Sequence, residues 1–199
     1  MLGTRAESTR NRLLEATAKL LAEQGVLELK VVDITREVGS SPATFYQYFN
    51  DVDAAILALI DQATRDEDSL VSHLQSGWDG DDGLEQACAF VDAYTTYWDD
   101  HSAVLRVRNL KAEEGDRAFR EARTKAYLVI VESMVRMVQQ AQRAGRLPDN
   151  IHPFVTATAM LAMIERLLPY RNEIARRGAS AAALRDTMAA LLYRSLTGR

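Results

Sequence analysis

A single cysteine, Cys88, stands in this chain of 199 residues, so no disulfide can form within it, which fits a reducing compartment. Prolines number four and glycines ten, and runs of alternating β-branched residues are almost absent, which favours helices throughout. No uninterrupted apolar run is long enough to cross a bilayer. The start, MLGTRAESTRNR, is polar and lacks the apolar centre of a secretory signal. A cytoplasmic protein without membrane attachment is the expectation. Basic charge is also short: the net charge is −4, which is not the footprint of a general nucleic-acid binder.

Catalytic signatures are missing as well. There is no GxSxG elbow, no GxGxxG after a strand and no P-loop. His73, His101 and His152 are scattered, without the i, i+4 pair of a helical metal site. Asp79, Asp81 and Asp82 in GWDGDDG do not follow the calcium-loop spacing and read as a solvated acidic loop. Cys88, between Ala87 and Ala89, reads as a small apolar residue rather than a nucleophile. No catalytic residue, metal site or cofactor is expected, and the chain does not read as an enzyme.

What is present is an ordinary globular composition, 47% hydrophobic and 26% charged, in a length that suits one or two domains. The fold class is all-α. Periodicity and capping residues predict helices at 7–24, 31–38, 42–49, 51–73, 84–99, 102–111, 116–144, 153–168 and 181–196, with a loop at 77–83. The densest local information lies in Val31 to Phe49. Val31, Ile34 and Val38 recur at offsets of three and four, and Gly39 supplies a sharp turn. Ser41-Pro42 then opens a second helix, with serine as N-cap and proline at the first helical position. Phe45 and Phe49 face a core, leaving Thr44, Tyr46, Gln47 and Tyr48 to face outward. Two short helices set at an angle by a tight turn form a helix-turn-helix, whose second helix enters a DNA major groove. A preceding helix carries Leu13, Leu20 and Leu21 on one face and stops at Gly25. A following helix, capped by Asn50 or Asp51, carries Val52, Ala55, Ile56, Leu59 and Ile60 on one stripe.

This segment resembles the DNA-binding domain of the TetR family of bacterial transcriptional repressors. The resemblance rests on Gly25, Asp33-Ile34, Glu37-Val38-Gly39, Ser41-Pro42, Thr44-Phe45-Tyr46, Tyr48-Phe49 and Ala54, in about the first quarter of the chain. It implies an N-terminal three-helix DNA-binding domain at 1–50 and a C-terminal helical-bundle domain for ligand binding and dimerisation at 51–199. It also implies a recognition surface of Ser41, Ala43, Thr44, Tyr46, Gln47 and Tyr48, with Arg5 and Lys30 as flanking backbone contacts. Gln47 suits adenine readout, since its amide matches N6 and N7. Two positions depart from the family. Leu29-Lys30 replaces the usual threonine cap before the second helix, and Val52 replaces a lysine at the start of the fourth. Fewer phosphate contacts mean lower affinity and a shallower salt dependence.

In the C-terminal part, Phe90, Tyr94, Tyr97 and Trp98 recur at helical spacing, as do Met134 and Val138, and Met160 and Met163. Such stripes read either as a bundle core or as the lining of an apolar cavity. The family's small-molecule pocket favours the cavity, and with it a small, mostly apolar or aromatic effector. Glu165-Arg166 interrupts one apolar face, as a solvent-facing pair or a polar anchor. Ala159, Ala162, Leu184, Met188, Leu191 and Leu192 lie in the last two predicted helices, which in the family pair across a two-fold axis. The implied partners are a near-palindromic double-stranded operator, the effector and a second copy of the chain, with no membrane. The function implied is a repressor released from its operator by that effector. A different class stays open: a small-molecule-binding or interaction protein with a degenerate helix-turn-helix.

Overall fold

The computed structural model describes residues 4–26, 28–75 and 77–199. Every element among them is helical: α1 (Thr4–Gln24), α2 (Val31–Glu37), α3 (Pro42–Tyr46), α4 (Val52–Gln75), α5 (Gly83–Glu113), α6 (Arg117–Arg143), α7 (Pro153–Leu167), a 3-10 turn (Leu168–Tyr170), α8 (Arg171–Arg176) and α9 (Ala181–Thr197). Several helix starts coincide with side-chain caps. Asp51 Oδ1 accepts from the Ala54 amide at 2.7 Å, Asp116 Oδ1 from the Ala118 amide at 2.9 Å, and Ser180 Oγ from the Ala183 amide at 3.1 Å. Of the two caps expected for α4, Asp51 therefore supplies the bond.

The 84–99 and 102–111 helices expected from sequence are one helix of 31 residues, α5. The break expected between them fell on a polar stretch, Asp99 to Ser102, which contains neither glycine nor proline. Polar residues on the outer side of a helix do not interrupt its hydrogen bonding, so the helix continues. The short α8 and the turn before it were not foreseen. Pro169 sits in the first turn of the 3-10 segment and separates α8 from α7.

The chain divides into two compact units: residues up to Arg65 with His101–Thr124, and Asp66–Asp100 with Lys125–Arg199. This division by compactness does not coincide with the boundary expected at residue 50. The first unit keeps the start of α4 and adds the end of α5 and the start of α6. Its core explains why. Leu13, Leu14, Ile34, Phe45, Ile56 and Ile60 close around one cluster that also contains Val104, Val107, Ala112 and Phe119. Those four side chains add apolar burial to a three-helix unit that would be marginal at its size. In the second unit, α7 packs on α9, and Leu161, Ile164, Met188 and Leu192 are buried.

Candidate functional site

In the first unit, α2 and α3 meet at a turn where Gly39 has φ 66°, a conformation that costs glycine nothing and a side-chain-bearing residue about 1 kcal/mol or more. Ser41 is extended and caps α3, its Oγ accepting from the Thr44 amide at 3.3 Å and lying 3.1 Å from Thr44 Oγ1. Pro42 follows at the first position. Phe45 is wholly buried, 5.4 Å from the ring of Phe49, and this anchors the short helix. The opposite side is presented outward: Ser41, Ala43 and Gln47 are exposed and Tyr46 is 57% exposed. Two of the sequence-based candidates are less available. Thr44 is half-buried with its hydroxyl against the cap, and Tyr48 packs on the core cluster. Arg5 and Lys30 are exposed, and Lys30 makes no side-chain cap at α2, as the missing threonine implied.

Electrostatics around this surface are largely consumed within the unit. Lys19 bonds Glu37 at 2.5 Å, Arg36 bonds Asp33 at 3.2 Å, and Arg12 donates to the Val38 carbonyl at 2.7 Å. The Glu37 carboxylate raises the Lys19 pKa through that hydrogen bond and its charge. The Arg10 guanidinium lies 5.3 Å over the Phe49 ring. Arg36 is paired within α2, and Arg10, Arg12 and Lys19 hold α1 against the helix-turn-helix rather than forming a broad cationic face.

In the second unit, α5 aligns a chain of rings. Phe90 is 6.0 Å from Tyr94, and Tyr94 is 5.7 Å from Tyr97. Trp78, from the 77–83 loop, extends the chain at 6.0 Å from Phe90 and donates its indole N–H to the His73 carbonyl at 3.0 Å. Sequence reasoning passed over Trp78 because it stands among glycines and aspartates; an indole in so polar a loop was the available signal. Two carboxylates meet the tyrosine hydroxyls of this interior. The Tyr97 hydroxyl donates to Glu67 Oε1 at 2.6 Å with both residues buried, and the Tyr94 hydroxyl lies 3.5 Å from Glu165 Oε1. Glu67 had no sequence signal, since it sits in the acidic run Asp66-Glu67-Asp68. Glu165 takes the inward of its two expected placements, while Arg166 stacks 4.4 Å over Tyr170.

Phe90, Tyr94, Tyr97, Trp98, Met134 and Val138 are buried, and Met160 and Met163 are half-buried. None of these eight lines the half-open cleft of about 470 Å³ in this unit, which lies among Asp92, Thr95, Leu168, Arg171, Leu184, Arg185 and Met188. Cys88 is half-buried, and burial raises its thiol pKa. Among the described residues, no three His, Cys, Asp or Glu side chains are grouped to hold a metal ion, and no helix is long and apolar enough to cross a membrane.

The expected pairing face is split by the structure. On α7, Ala159 and Ala162 are exposed in line with Val155, and on α9, Leu191 is 45% exposed and Leu184 half-buried. Met188 and Leu192 are 1% and 0% exposed. Both are buried within the single chain, which leaves Ala159, Ala162 and Leu191 as the exposed part of the expected face.

The family model for bacterial regulatory proteins of the tetR family matches residues 13–58, and the tetracyclin repressor-like C-terminal domain matches 68–199. The chain belongs to the TetR family. Its N-terminal match spans α2, α3 and the turn between them, and its C-terminal match contains the ring stack, so this TetR-family member is a transcriptional regulator in which a DNA-binding helix-turn-helix joins a regulatory helical domain. Solved structures of similar fold include GusR of Salmonella enterica, 23% identical over 96% of this chain and 94% of that one, TM-score 0.67. A TetR family transcription regulator from Marinobacter aquaeolei VT8 is 18% identical over 100% of both chains, TM-score 0.65. FadR from Bacillus subtilis, solved in complex with stearoyl-CoA, is 10% identical over 94% of this chain and 98% of that one, TM-score 0.68.

Proposed function

We propose that this regulator is a homodimeric repressor that binds a near-palindromic operator and is released by a small, mostly apolar or aromatic effector. The observation that carries the DNA half is α3, with Phe45 locked into the core and Ala43, Tyr46 and Gln47 presented outward. Gln47 is the principal base reader and Tyr46 contacts phosphate or a thymine methyl. Arg5 and Lys30 contact the backbone. The effector half is supported by the ring stack from Trp78 to Tyr97, with the Glu67 and Glu165 carboxylates beside the Tyr97 and Tyr94 hydroxyls. The fold relative from Bacillus subtilis, which holds an acyl-CoA, supports an apolar ligand class.

The dimer face runs along Val155, Ala159 and Ala162 of α7 with Leu191 of α9, where small residues permit close helix approach. Two recognition helices would then address two half-sites. An effector releases DNA only as far as it binds the non-DNA arrangement more tightly. α4, α5 and α6 each run unbroken from one unit into the other, and they transmit that preference.

The test is Gln47→Ala on a duplex selected by the protein from a random pool. Loss of one bidentate contact lowers affinity for that duplex by about 10- to 100-fold and leaves unrelated duplex nearly unchanged. Equal losses on both would remove Gln47 from base readout. A second reading, a ligand-binding protein whose helix-turn-helix rarely engages DNA, is favoured by the internal pairing of Arg12, Lys19 and Arg36 and by Val52 at the α4 start. Selection of no duplex even at low salt would establish it.

A further inference from the structure

α3 has no long helix of its own to hold its direction; it leads within a few residues into α4, so its aim depends on how the first turn of α4 is held. One contact there has no local origin. Lys111 Nζ, near the end of α5, bonds Asp53 Oδ2 at 2.6 Å across 58 residues of sequence, within the first unit. The side chains are 23% and 41% exposed, so water screens the pair only in part. The ammonium also lies 5.2 Å over the ring of Phe119, a buried member of the core cluster. Phe119 is itself placed by Asp116, whose carboxylate accepts from the Ala118 and Phe119 amides at the start of α6. Asp53 is the acidic residue of the first turn of α4, two positions after the Asp51 cap and four after the buried Phe49.

We propose that Lys111 and Asp53 form a positioning clasp that fixes the start of α4, and through it the aim of α3, so that the pair governs discrimination between operator and other DNA without touching bases. This rests on the DNA-reading function proposed above. A sparse cationic surface makes such a device consequential: with few phosphate contacts to hold the protein on DNA, discrimination depends on how accurately a small set of side chains is aimed.

The clasp differs in sign from a simple charge effect. If Lys111 and Asp53 acted only through their charges on DNA, removing the lysine would weaken all binding and removing the aspartate would strengthen it. A clasp requires both removals to act in the same direction on discrimination. The variants are Lys111→Met, which keeps an apolar stem over Phe119, Asp53→Asn, their combination, and Lys111→Arg, which retains a cation. Each is measured in the full-length protein on the selected duplex and on an unrelated duplex of equal length. The expected result is that Lys111→Met and Asp53→Asn each lower the ratio of selected to unrelated affinity by about tenfold. The double variant falls no further than either single one, and Lys111→Arg retains most of the ratio.

Amide hydrogen exchange in the free proteins supplies a readout independent of DNA. Lys111→Met is expected to speed exchange about tenfold at residues 42–56, with α1 unchanged. Opposite signs for the two single variants, or unaltered exchange at 42–56, would overturn the clasp. Selection of no duplex by the unsubstituted protein would instead overturn the DNA-reading function, and the exchange result would still decide the clasp.

Discussion

Phe45→Ala is expected to destabilise the first unit by about 3–5 kcal/mol, the cost of removing a buried aromatic ring and leaving its cavity. The ring is fully buried, 5.8 Å from Tyr46 in an edge-on arrangement and 5.4 Å from Phe49. It belongs to the cluster that joins Leu13 of α1, Ile34 of α2 and Ile56 of α4. α3 itself has five residues, far below the length at which an isolated helix sustains itself in water. Its shape therefore comes from the Ser41 cap and from this ring. Against a typical total stability of about 5–15 kcal/mol, the loss is a large fraction, and binding of the selected duplex disappears with it. Urea unfolding followed by circular dichroism checks the stability change. Tyr46→Ala is the control, since an outward ring costs about 1 kcal/mol or less. An unfolding midpoint for Phe45→Ala equal to that of Tyr46→Ala would mean that something other than the ring holds α3.

The contrast between these neighbours shows what the sequence makes legible and what it does not. Phe45 and Phe49, four apart behind Ser41-Pro42, carry their burial in their spacing, and Gly39 announces the turn by its chemistry. Those are local rules, acting over a few residues, and they placed the two helices, their turn and the outward side of α3 at Tyr46 and Gln47. Tyr48 fell outside them because half-burial of an amphipathic ring depends on what approaches from elsewhere. The same holds for Val104, Val107 and Phe119, whose membership of the first unit is a matter of long-range topology. α5 looked like two helices because the polar stretch Asp99 to Ser102 lies where the helix passes from one core to the other. Met188 and Leu192 show a further limit. Periodicity marks an apolar face of α9, yet it does not say whether that face meets its own chain or another, and burial assigned both to the protomer. Glu67 and Trp78 had their roles masked by neighbours of ordinary loop and surface composition.

Gly83→Ala is expected to be the most damaging small substitution in the second unit. A Cβ at Gly83 would stand 2.1 Å from the Trp78 carbonyl oxygen and 2.7 Å from Cε2 of Tyr193. The first contact is with backbone, so relief requires the 77–82 segment to move. That segment is held from several sides. The Trp78 indole bonds the His73 carbonyl at 3.0 Å, while Asp79 is paired with Arg146 and accepts from Gln140 Nε2 at 2.7 Å. Arg146 in turn donates to the Thr197 carbonyl at 2.9 Å. The clash therefore cannot be relaxed at one bond, and overpacking of about 3 kcal/mol is expected. For a unit of this size that lowers the thermal midpoint by roughly 10–15 °C. Trp78 begins the ring stack through Phe90, Tyr94 and Tyr97, so its displacement also disturbs the interior assigned to the effector, and tryptophan emission shifts to longer wavelength. Gly80→Ala separates crowding from the mere loss of a glycine. A Cβ there meets only the tip of the exposed Asp82 side chain, 2.6 Å from Oδ1, which can rotate away. Its thermal midpoint should stay within about 2 °C of the unsubstituted protein. Equal midpoints for the two alanine variants would show that the Trp78 loop yields freely, and would remove it as a fixed wall of the aromatic interior.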